Sequence, residues 1–359
     1  MITRLSALLC LISSLPACAA ESDEVIIPAG ESKDQLMISG HEPGTTIRAD
    51  GLVLYGGESN HFRPPPQFIF RSASKRDPDN GIGYPDNRTL QSLELPNEER
   101  YPIQLRDMQD PAISGFAVIG VQSNELPWRV VKEMWDGDAL HVKGCNGHVR
   151  VSDVYWENVE DGFGPDVGPS EWTLERAWMK DIRDDAVEND QLIDGTISDC
   201  LIDGCFVFLS QRASASVQTK TKTIIHDCIV RVSSQAHDGD EGREWRDRNI
   251  KVGEDGIGRA PGMIFKWDDG AGTVEVKNCV FMMDAISVNG VNDMLFPPGV
   301  YENVSLIWLG PGGYPGKIPK GVSVTTDPDL WERSKQDWIE RQSENHPGFS
   351  ATARSHKQP

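Results

Sequence analysis

The feature that most limits what this chain can fold into is a repeat. From about residue 112 the sequence returns to one pattern: alternating apolar residues, a polar bend, then a second short apolar run. It occurs at residues 149–156, 172–179, 196–202, 224–230 and 274–281, with Asp153, Arg176, Asp199, Asp227 and Asn278 at the bend. Asp and Asn tolerate left-handed backbone angles, so they can turn a chain sharply between two strands. The intervals between successive bends are 23, 23, 28 and 51 residues, the longer ones leaving room for loops. A second register precedes the first in each repeat and begins at Asp138, Asp161, Asp185, Gly204 and Gly262. Within it Leu140, Phe163, Val187, Phe206 and Ile264 fall at one place and are expected to point inward. A single turn of this kind cannot bury its own apolar face, whereas stacked turns can. The pattern therefore predicts an all-β chain, a single-stranded right-handed parallel β-helix (a solenoid) with long loop excursions and a C-terminal helix. Propellers and leucine-rich repeats need other periods or a recurring Leu line, and neither is present.

The ends set the boundaries. Residues 1–20 read as a signal peptide, with Arg4 before an apolar stretch from Leu5 to Leu15 and the small residues Ala17, Cys18, Ala19 and Ala20 at the cleavage site. The mature protein is thus expected to be exported, periplasmic or extracellular. Leu15, Pro16, Ala17 and Cys18 also resemble a bacterial lipobox, which leaves a lipid anchor through Cys18 open. No later segment is apolar for long enough to span a bilayer, so no transmembrane segment is expected. Residues 21–326 are assigned to the β-helix, with polar excursions at 56–110 and 233–260. Residues 327–359 read as a helix with Asp327 as N-cap and Leu330, Trp331, Trp338 and Ile339 as its apolar residues, followed by a tail that is loose from Ser343.

Composition narrows the partners. Lys and Arg number 35 against 55 Asp and Glu, a net charge of −20 that repels phosphate backbones and argues against nucleic acid. Beyond the signal the cysteines are Cys145, Cys200, Cys205, Cys228 and Cys279, and three of them recur at one place in the repeat. Stacked side chains run parallel instead of toward each other, so the set reads as reduced core thiols. The residues after them, Leu201, Ile229 and Val280, would form an apolar outer wall that needs a cover, for which the C-terminal helix is the expected candidate.

Equivalent residues on stacked turns lie about 4.8 Å apart, so like charges at one place perturb one another's ionisation. An acid-rich ladder runs through Asp138, His141, Asp161, Asp166, Asp184, Asp185, Glu188 and Asp190, with Arg212, Lys266, Trp267, Asp268 and Asp269 on later turns. Carboxylates on neighbouring turns fall in the range of roughly 5–10 Å that glycoside hydrolysis uses. Asp161, Asp184 and Asp185 are the candidate catalytic residues. His141, Glu188, Asp190, Arg212, Lys266 and Trp267 are candidates for substrate binding, with Trp267 offering a ring to a sugar face.

These motifs resemble the pectin-lyase-like right-handed parallel β-helix superfamily, with partial resemblance to the polygalacturonase family of glycoside hydrolases. Asp161, the pair Asp184 and Asp185, and Lys266 match that family's Asn-Thr-Asp, Asp-Asp and Arg-Ile-Lys motifs in order. The chain departs from it at Asp203, where the family has the His of Gly-His-Gly, and at Ile264, where it has the Arg. The resemblance implies inverting hydrolysis, one acid protonating the leaving oxygen and another activating water.

Three functions stay open: a hydrolase of a polysaccharide or oligosaccharide acting through paired Asp; a polysaccharide lyase with Lys143, Arg212 or Lys266 as base; and a non-catalytic glycan-binding or cell-surface protein. No cofactor is otherwise expected; calcium is chemically reasonable in the Asp cluster, because hard oxygen ligands suit it. Each acid also has a plain structural role available, since Asp161 and Asp185 start strands and Asp184 and Asp190 suit a solvated face.

Overall fold

The computed structural model describes residues 24–32, 36–55, 101–120, 122, 124, 137–212, 221–236, 251–252, 258–268, 270–286, 296–344 and 346–349. The expected signal peptide, Cys18, most of the excursion at 56–110, Asp269 and residues 350–359 lie outside the described residues.

The described residues are mostly β, with a twenty-stranded sheet whose strands pair in parallel and few helices. Its register repeats with the sequence. The long strand Pro169–Glu188 places Trp172 between Val149 and Gly195, and Met179 between Trp156 and Ile202. Each stretch therefore lies beside the stretch one repeat earlier and one repeat later, an arrangement compatible with a parallel β-helix. The bends are where the sequence put them. Asp153, Arg176, Asp199, Asp227 and Asn278 all have φ between 48° and 57°. Arg176 takes that strained angle while its guanidinium grips Asp153 through Nε and Nη2 at 2.7 and 2.8 Å.

The core is a stack of inward side chains, but its register differs from the expected one at two places. Leu140 pairs with Phe163, Phe163 with Val187, Val187 with Leu209, and Leu209 with Phe265. Leu209 and Phe265 thus take the places in the stack expected for Phe206 and Ile264, although Ile264 is buried in the same core cluster, as expected. Phe206 packs instead with Val207, Ala260 and Met263 in a separate small cluster. The strand Leu201–Gln211 is buried along its whole length, so alternation of polarity gives no clue to which parity faces in.

The outer wall is covered by the helix Asp329–Arg341, as expected. Trp178, Leu201, Ile229, Met282 and Ile307 form one apolar cluster with its Trp331 and Trp338. The N-cap is Pro328 and not the expected Asp327, which stands one residue earlier and accepts the Asp329 N–H at 3.0 Å. The tail is less loose than expected. His346, Pro347 and Gly348 are buried, and the rings of His346 and Phe349 lie 6.2 and 5.9 Å from that of Trp178. The second excursion is also partly built. Gln235–Ala236, Lys251–Val252 and Gly258–Ala260 form a three-stranded antiparallel sheet. Among the described residues the five cysteines, Cys145, Cys200, Cys205, Cys228 and Cys279, are free and buried. Among the described residues no helix is long and apolar enough to cross a membrane.

Candidate functional site

The acid ladder sits at the start of the strands that carry the core stack. Asp138 pairs with Asp161, two residues before the inward pair Leu140 and Phe163. Asp185 holds the same place two residues before Val187, and its backbone N–H donates to Asp161 Oδ1 at 2.7 Å. This parity turns the three carboxyls toward the protein: Asp138, Asp161 and Asp185 are 3%, 5% and 0% exposed. Glycine at 164 makes room for Asp138, because a Cβ there would meet its Oδ2 at 2.1 Å.

Two groups of carboxyls share Asp161. Asp138, Asp161 and Glu188 bring one oxygen each within 4.8 Å of one another, and so do Asp161, Asp184 and Asp185. Of these five residues only Glu188 is more than marginally exposed. A cation closes each end. Lys266 Nζ donates to Asp185 Oδ2 at 2.8 Å. His141 Nδ1 meets Asp138 Oδ2 at 2.5 Å, its Nε2 faces Asp166 Oδ2 at 3.7 Å, and its ring stacks on Tyr101 with centroids 3.9 Å apart.

Burial is the main influence on the acids. It raises the proton affinity of Asp161 well above the ordinary range, with the charges of Glu188 and Asp184 adding to it. Glu188 is raised likewise, by burial first and then by Asp185 and Asp138. Burial and Asp184 lift Asp185 to about 7, with Lys266 opposing them. For Lys266 burial works against the charge, yet Asp185, Asp184 and Asp190 outweigh it and its proton is held more tightly than usual. His141 follows the same pattern: burial disfavours its charge, but the hydrogen bonds to Asp138 and Asp166 overcome this and raise it to about 9. It is a cation at neutral pH.

The structure therefore brings Asp161, Asp184, Asp185, Glu188 and Lys266 together, with His141 joined through Asp138. Asp190 stands at the margin, accepting from Ser210 Oγ at 2.7 Å and from the Arg212 N–H at 3.0 Å. The Arg212 side chain turns to Asp268, 3.8 Å away. Trp267 is half-buried, edge-on to Phe265 at 6.3 Å, with its buried Nε1 lacking a hydrogen-bond partner. Lys143 lies by Asp166 at 3.8 Å. Asp203 does not join the cluster: Arg231 and Lys335 hold it beneath the C-terminal helix. Ile264 belongs to the core. Asp138 is the member of the cluster missing from the candidates for catalysis and binding, although it shares the strand position of Asp161 and Asp185.

Comparison of the chain with protein-family models and with curated proteins finds no match. The chemistry of the site rests on its own geometry.

Proposed function

We propose that the chain is an exported right-handed parallel β-helix protein, and that its acid cluster hydrolyses a glycosidic bond in a polysaccharide or oligosaccharide. The observation that supports this most is the convergence of five carboxyls in one largely buried cluster with a lysine at its edge. Asp161 and Glu188 are raised well above the ordinary range, beside Asp185 near 7 with a Lys partner. A carboxyl that keeps its proton toward neutral pH can act as a general acid, and a neighbouring carboxylate can act as the base.

Within each group the nearest oxygens are closer than the separation of about 6.5–9.5 Å that an inverting pair needs for its water. The reacting pair we assign therefore takes one residue from each group. Glu188, the more open carboxyl, gives its proton to the leaving glycosidic oxygen as the bond to the anomeric carbon breaks. Asp184, with Oδ1 lacking a hydrogen-bond partner, takes a proton from the water whose oxygen bonds to that carbon. Asp161 and Asp185 hold the two in place and tune them. Asp190, Arg212 and Trp267 would face the sugar.

The lyase reading is less favoured, because a general base needs a loosened proton and Lys266 holds its own more tightly than usual. The test is a panel of polysaccharides assayed for new reducing ends and for unsaturated product. Reducing ends without an ultraviolet-absorbing product, lost in Glu188→Gln and Asp184→Asn, are expected. Unsaturated product would mark a lyase, and glycan retention with neither would mark a binding protein.

A further inference from the structure

Asp161, Asp184 and Asp185 offer one oxygen each within 4.8 Å of one another. Oxygens bound at about 2.3–2.6 Å to one calcium ion lie no farther apart than about 5 Å, so these three can share an ion with little movement. Proximity of acids alone would carry nothing. What points to a ligand is how the remaining atoms are used. Asp185 is fully buried; its Oδ2 accepts from Lys266 Nζ, while its Oδ1 has no hydrogen-bond partner. Asp184 is 5% exposed and its Oδ1 is unpartnered too. Asp161 commits Oδ1 to the Asp185 N–H.

Buried carboxylate oxygens without donors are costly, and a native structure rarely leaves two of them in one cluster. One hard cation would satisfy both together with Asp161. The charge balance favours it as well. Asp138 and Glu188 complete a cluster of five carboxyls, against which Lys266 and His141 are the cations in direct contact among the described residues.

We propose that Asp161, Asp184 and Asp185 form a binding site for one divalent cation of the calcium class. The site stands independently of the hydrolytic reading, but it bears on it: an ion there would occupy the Asp184 oxygen assigned to activate water, so calcium would suppress hydrolysis instead of supporting it.

The test is calorimetric titration of the chelator-treated protein with calcium chloride alone, with no sugar present, alongside thermal melts. One saturable equivalent and a rise in melting temperature are expected. Asp184→Asn should weaken binding by about tenfold or more. Asp161→Asn, which keeps the Oδ1 acceptor, should do the same and serves if the first variant melts without cooperativity. Asp227→Asn, at an exposed bend that Asn also tolerates, should bind as the parent does. Absence of saturable binding by the parent, or equal weakening in all three variants, would overturn the site. Neither result touches the hydrolysis assay, and failure to cleave any glycan leaves the titration standing.

Discussion

Lys266 Nζ meets Asp185 Oδ2 at 2.8 Å although 81 residues separate them in the chain. The two belong to strands that flank a third: Asp185 pairs with Val207, and Val207 with Met263. The lysine thus reaches back across one whole repeat to neutralise an acid that is 0% exposed. Such a bond ties three successive repeats together and sets the charge of the cluster from one side.

Removing that lysine leaves a buried carboxylate without its cation. Lys266→Met should therefore lower stability by about 3–5 kcal/mol where Asp185 is ionised. Below about 7, where Asp185 takes up a proton, the loss should shrink. Urea unfolding of parent and variant at a mildly acidic and a mildly alkaline pH measures both values. An equal loss at the two would contradict the pairing.

Asp161 makes the opposite prediction. Its proton affinity is raised in the folded protein, by burial and then by Glu188 and Asp184. The folded state therefore binds more protons than the unfolded one above the ordinary Asp range, and stability falls as pH rises through it. Asp161→Asn removes that charge and keeps an acceptor for the Asp185 N–H. It should melt higher than the parent at mildly alkaline pH, by about 2–4 °C for each ~1 kcal/mol gained, and no higher near pH ~4. Turnover on any cleaved glycan should drop. Melting curves across pH decide it, and a variant that melts lower throughout would make Asp161 a structural residue.

His141 is raised to about 9 in the fold, against an ordinary 6.5. The stability it contributes is fully present below 6.5 and is lost as pH rises through 9. Following the imidazole by NMR should show His141 keeping its proton well into the alkaline range. Asp138→Asn should bring the titration down. A midpoint near 6.5 in the parent would mean that Asp138 and Asp166 do not clasp the ring as described.

Parts of this site are legible in the sequence because the repeat does the alignment. Asp161 and Asp185 stand two residues before Phe163 and Val187, so a reader who finds the inward stack finds the acids. Asp138 stands in the same relation to Leu140 and is legible by the same rule. Lys266 is different. Its contact with Asp185 depends on a register that passes through Leu201–Gln211, a strand apolar on both faces, where polarity cannot fix the parity. For that reason Phe206 and Ile264 were open to exchange with Leu209 and Phe265. The docking of His346 was hidden for another reason: a His in a polar tail carries no periodicity, and its burial depends on the carbonyl of Arg176 and the ring of Trp178.

The thiols give a simple chemical check. Cys200, Cys228 and Cys279 follow three successive bends, and Cys145 and Cys205 are buried elsewhere. Burial pushes the Cys205 and Cys228 thiols well up, so they resist attack in the folded protein. A chain lacking residues 1–20 should react slowly when native and give five thiols when denatured without reductant. A count of three or one would reveal disulfides and break the stacking.

The helix Asp329–Arg341 should be a fixed cover for the wall. Trp338 is 0% exposed, lies edge-on to Trp178 at 5.8 Å, and donates its Nε1–H to the Asp199 carbonyl at 2.9 Å. It therefore ties the helix both to the apolar wall and to the backbone of a bend. Trp338→Ala removes a fully buried indole from that seam and should cost about 3–5 kcal/mol. Because the helix is the cover for Leu201 and Ile229, loosening it should also expose a stripe that binds a hydrophobic dye. Lys335→Ala touches the same helix through Asp203 only and should cost less without raising dye binding. Urea unfolding with dye fluorescence separates the two. If Trp338→Ala unfolds like the parent and binds no dye, the helix is an ornament on the wall and its apolar face has been misassigned.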